Sequence, residues 1–123
     1  MDYAQAIADL RQTKEVLEAD GWTTGTWICA DGKRCFTGAL TWVTSNETTN
    51  NPNDLYDAPS SPNLERFYDA LGVLGLWLKD PAEWDNGSRA VRWNDSVAGT
   101  IENVLAGIDA AINIGKERLD EIE

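Results

Sequence analysis

Apolar side chains recur at helical spacing in four stretches of the chain. Tyr3, Ile7, Leu10 and Leu17, with the stem of Lys14 on the same face, step 4-3-4-3, which predicts an amphipathic helix capped by Asp2 and stopped at Gly21. Phe36, Ala39, Leu40 and Val43 predict a short buried helix, with Gly38 small enough to admit a second backbone. Leu64, Phe67, Leu71, Leu74 and Leu78 step 3-4-3-4 and predict a core helix. Ser61 or Asn63 is its cap, Pro62 lies in its first turn and Pro81 ends it. Gly72 and Gly75 each cost about 1 kcal/mol against alanine, so they imply close helix packing or a bend near Gly75. From near Thr100, the stripe Val97, Ile101, Val104, Leu105, Ile108, Ala111 and Ile112 predicts a last helix with Glu102 and Asp109 facing away. Its acidic end, Asp120, Glu121 and Glu123, opposes the helix dipole and should fray unless a positive group covers it.

Between these helices the pattern changes. Trp27, Ile28 and Cys29 are strand-compatible and Asp31-Gly32 is a turn signal, so residues 22–35 are expected to form a β-hairpin. A two-residue turn at Asp31-Gly32 sets Cys29 opposite Arg34. A loop of Asp31 to Lys33 would instead face Cys29 with Cys35; the first register is preferred, without a disulfide. Ala90-Val91-Arg92-Trp93 suits one short strand beside the hairpin, and Asn94 to Gly99 a turn. The expected fold class is α+β: mostly helical, with about four helices and a small antiparallel β-hairpin or three-stranded sheet.

The 123 residues are consistent with a single compact domain, 1–123, interrupted by a flexible polar loop at about 45–61. Leu55 and Tyr56 are the large apolar residues of that loop and would anchor it if it served as a lid. Ten basic against twenty-one acidic residues leave a net charge of −11, which argues against direct nucleic-acid binding and favours a basic partner or simple solubility. There is no histidine, which removes imidazole-based nucleophile pairs, metal sites and proton switches. Two cysteines and an N-terminus lacking an apolar signal core point to the cytoplasm, and no apolar run is long enough to span a membrane.

Six tryptophans among 123 residues are the feature that most needs explaining. Either they plug junctions between helices and hairpin, or some form an exposed anchor surface. The candidate binding set is Trp22, Trp27, Arg89, Arg92, Trp93, Asn94 and Asp95. In the Trp93-Asn94-Asp95-Ser96 turn, Asp95 or Ser96 either caps the following helix or Asp95 holds an amine beside an aromatic wall. Cys35, at a helix start beside Arg34, reads as a small buried hydrophobe or as a nucleophile without an imidazole base. Asp31 and Asp95 could form an acid and base pair only if the fold brought them together. Asn51-Pro52-Asn53-Asp54 lacks the pattern of a calcium loop. No catalytic residue, metal or cofactor is assigned.

Taken in order, Gly21-Trp22, then Asp31-Gly32 with Cys35, Gly38, Ala39 and Leu40, then Trp93-Asn94-Asp95 and Thr100, Glu102, Val104 and Leu105, resemble a family of small uncharacterised proteins from actinobacteria and their phages. The resemblance covers nearly the whole chain, and implies an intracellular, phage-encoded or actinobacterial setting but no activity. The loop at Ser45 to Ser61 is longer than expected of that family. The function expected is a non-enzymatic protein-interaction module, such as a phage accessory protein that binds a host protein. The alternatives are a small-molecule binder or enzyme with its pocket between the 22–35 hairpin and the 93–96 turn, and an acidic DNA mimic.

Overall fold

The computed structural model describes residues 2–45, 62–78 and 88–122, and in the second and third segments the described side chains begin at Glu65 and Ala90. Among the described residues there are five α-helices: α1 Tyr3–Asp20, α2 Phe36–Ser45, α3 Pro62–Leu78, α4 Ser88–Arg92 and α5 Ile101–Ile122. A π-helical segment, Trp93–Ala98, follows α4 without a break. The loop at about 45–61 beyond Ser45, with Leu55 and Tyr56, lies outside the described residues, as do Pro81 and Trp84.

The termini of α1 follow from local chemistry. The Asp2 carboxylate accepts the Gln5 N–H at 3.0 Å, satisfying one of the donors a helix start leaves free. At the other end Gly21, at φ 93, donates its N–H to the Leu17 carbonyl at 3.1 Å. Ile7, Leu10 and Leu17 are buried as their spacing requires, with Ala6 and Thr13 beside them. α1 packs against α2, α3 and α5, and α3 also packs against α5. The resulting core holds Leu10, Leu17, Phe36, Leu40, Phe67, Leu71, Leu74, Val104 and Ile108. α3 continues as helix through Gly72 and Gly75. α5 starts after Thr100, whose hydroxyl accepts the Asn103 N–H at 3.2 Å, and Val104, Ile108, Ala111 and Ile112 are buried along it.

The fold buries a charge as well: Asp9, on the inner face of α1, is clasped by Arg66 of α3 through Nε at 3.1 Å and Nη2 at 2.6 Å. Gln5 donates to the same carboxylate at 3.0 Å. A buried carboxylate is tolerated only when paired and hydrogen-bonded in this way. Its attraction holds the Arg66 pKa above the ordinary value.

The α+β expectation is overturned. Among the described residues there is no strand, sheet or hairpin; the 22–35 segment makes only two isolated bridges, Trp22 with Arg34 in parallel and Ile28 with Arg34 antiparallel. Arg34 is the middle of three segments: its N–H reaches the Gly21 carbonyl and its carbonyl accepts from Thr23, while Cys35 N–H reaches the Trp27 carbonyl. Neither bridge can lengthen into a ladder, because α2 begins at Phe36 and the chain turns between Cys29 and Lys33. The cysteines are both free, Cys29 half-buried and Cys35 buried. The expected strand at 90–93 is instead α4 running into the π-helix, which also replaces the turn expected at 94–99. Val97, placed on the stripe of the last helix from its spacing, belongs to that π-helix and is 67% exposed.

Candidate functional site

The structure brings Trp22, Trp27, Trp93, Asn94 and Asp95 to one region, where the 22–35 segment meets the start of α2 and the π-helix. Asn94 is its centre and is 0% exposed. Its Oδ1 accepts from the Trp22 indole Nε1 at 2.7 Å and from the Phe36 N–H at 3.0 Å. Its Nδ2 donates to the Thr23 carbonyl at 3.1 Å and to Asp95 Oδ1 at 2.8 Å. Both lone pairs and both protons of the amide are therefore used within the chain. Asp95 Oδ2 in turn accepts the Gly25 N–H at 3.1 Å, so this carboxylate braces the loop across from it instead of capping α5.

The indoles here point inward. Trp27 is 8% exposed and Trp93 is 4% exposed. Trp93 meets Phe36 edge-on at 5.5 Å and Trp77 edge-on at 6.2 Å, arrangements favoured by the ring quadrupoles. Its benzo ring lies so close to Gly107 of α5 that a Cβ there would sit 2.5 Å from Cζ2. Trp22 is half-buried, with its N–H committed to Asn94. Arg92 is exposed, and Arg89 is a residue of α4 whose side chain lies outside the described residues.

The thiol of Cys35 is not primed for attack. Burial pushes it up to about 11, although the N–H groups of Gly38 and Thr37 at the start of α2 pull the other way. The thiolate is the reactive form, and at neutral pH this group is a protonated, sequestered thiol. Among the described residues, no three His, Cys, Asp or Glu side chains converge as a metal site.

Trp42 was not in the candidate set. α2 is buried on almost every side, including Thr37, Thr41 and Thr44, and Trp42 is its one exposed residue, at 38%. The Arg34 guanidinium lies 5.2 Å from the centre of its ring, a cation–π contact. Arg34 Nε is also 3.5 Å from the Asp20 carboxylate at the end of α1. An open groove of about 430 Å³ runs beside this indole between α1 and α2. Val16, Ala19, Val43 and Trp42 supply its apolar lining, and Glu15 and Asp20 its carboxylates. The signal in the sequence was available: position 42 falls off the Phe36, Ala39, Leu40 and Val43 stripe, so an indole there has no helical reason to be inside. On the far side of Glu15, Lys14 donates to both carboxylate oxygens of Asp109 at 2.9 and 3.0 Å. That bond holds the Lys14 ammonium above its ordinary pKa.

Comparison with known proteins adds one match. Residues 1–114 match a family of unknown function, DUF6197. No curated protein and no solved structure matches the chain. Among the described residues no helix is long and apolar enough to cross a membrane.

Proposed function

We propose, from the premise that the chain belongs to the DUF6197 family of unknown function, that it is a non-enzymatic protein-interaction module whose contact surface lies on α1 and α2 around Trp42. The observation that carries this reading is the division of labour among the indoles. Those at 22, 27 and 93 are committed to packing and hydrogen bonding, whereas Trp42 stands exposed beside a groove with a guanidinium against its ring. Trp and Arg are the residues that most often dominate binding energy at protein interfaces, where they sit in pockets rimmed by polar groups. The setting we propose is an actinobacterial or phage-encoded protein that engages a host protein in the cytoplasm, as the resemblance in its sequence implies.

The alternative, a small-molecule or catalytic pocket between 22–35 and 93–96, has less to support it. Asn94 has no donor or acceptor left for a ligand, and Cys35 holds its proton. A photo-crosslinking residue in place of Ala19, which is exposed and lines the groove beside the intact Trp42, is expected to yield one discrete protein adduct when used in the cell that makes the protein. The same residue in place of Glu117, on the exposed side of α5, should not yield it. No adduct, or the same adducts from both positions, would overturn the reading.

A further inference from the structure

The geometry points to a basic, amphipathic helical segment of another protein as the occupant of the groove between α1 and α2; this inference rests on the interaction reading above. Three features of the groove select that chemistry. Its walls are the ridges of two packed helices, and such a trough accepts a third helix by the same ridge-and-groove fit. Its lining offers Val16, Ala19, Val43 and the Trp42 ring to one apolar side chain. Its charged lining groups, Glu15 and Asp20, are both acidic, in a chain whose net charge is −11. A second copy of this chain would bring another −11 to the same face, so like-charge repulsion disfavours self-association there.

Arg34 sharpens the assignment. Its guanidinium faces both Trp42 and the Asp20 carboxylate, so one wall of the groove is held in place before a partner arrives. Glu15, exposed and on the open edge, is then the carboxylate left to meet a partner's lysine or arginine.

The probe is a stapled amphipathic helix of leucine and lysine, titrated into the whole protein while the Trp42 indole N–H is followed by NMR. A saturable shift of that signal is expected. Glu15→Lys should weaken binding about tenfold at low salt, and Glu117→Lys, which changes net charge equally, by less than about twofold. Trp42→Ala, followed through a fluorophore on the peptide because the indole signal is gone, should abolish binding while its urea denaturation still shows a cooperative fold. The basic-helix assignment is overturned by the absence of a shift, by equal binding of a leucine and glutamate counterpart, by equal losses from the two lysine substitutions, or by a concentration-dependent dimer that the peptide does not displace. In any of these cases a discrete adduct from position 19 would still uphold the interaction reading, and the lack of one would remove it whatever the peptides do.

Discussion

Asn94 joins three parts of the chain that share no periodicity: the loop after α1, the first N–H of α2 and the neighbouring Asp95. Removing the amide leaves the Phe36 N–H, the Thr23 carbonyl and the Trp22 indole N–H short of a partner in a place water cannot easily reach. Leaving buried groups unmatched costs about 1–3 kcal/mol each, so Asn94→Ala is expected to destabilise the protein by about 4 kcal/mol, measured by urea denaturation. A loss below about 1 kcal/mol would mean that water takes over these bonds. Reading Asn94 from the sequence as a binding donor and acceptor rested on its chemistry, and that chemistry is indeed used, but by the chain itself. Which groups an asparagine faces is a matter of tertiary distance, and three of the four partners here lie 58 to 72 positions away.

At the scale of elements, spacing located the long helices because a buried stripe needs side chains on one face every three or four residues. It failed in two places. Ala90 to Trp93 looked like a strand because valine and tryptophan favour the pleated surface. In the fold Ala90, Trp93, Asn94 and Ala98 all face inward, at steps of three and four residues that belong to a helix and not to the alternation of a strand. Residues 22–35 carried a turn signal that is real, since Gly32 sits at φ 90 and its N–H reaches the Cys29 carbonyl. No ladder forms around it because the neighbouring backbone goes to Arg34 from both sides. Gly38 shows the opposite case, a close approach legible beforehand: a Cβ there would lie far inside contact with the Trp27 carbonyl oxygen. Gly38→Ala should therefore cost about 3 kcal/mol, against about 1 kcal/mol for Gly99→Ala, where φ is +71 but nothing lies within 4 Å. Equal melting temperatures for the two variants would contradict this packing.

For the whole molecule, the buried thiol of Cys35 links folding to alkaline pH. Its folded pKa lies above the ordinary value of 9.0, at about 11, so the native state keeps a proton that the unfolded chain gives up. Its stabilising contribution is thus complete below about pH 9 and is lost as pH rises toward 11. The loss should approach about 2 kcal/mol, and Cys35→Ala should flatten that slope relative to the parent across the same range. Identical slopes would show that the thiol ionises as freely in the fold as outside it.

What the linear order of residues settled alone was local: where helices of one buried face begin and end, that an imidazole plays no part, and that the surface is acidic. These follow from spacing, capping groups and composition, which act within a turn or as a sum over the chain. Only the tertiary structure decided that Arg34 would be a single-residue brace in place of a sheet, that Asn94 would be spent inside, and that Trp42 would be the exposed indole among the described residues. Each of these depends on which distant backbone groups and side chains meet, and a pattern with a period of two or three and a half residues carries no record of that.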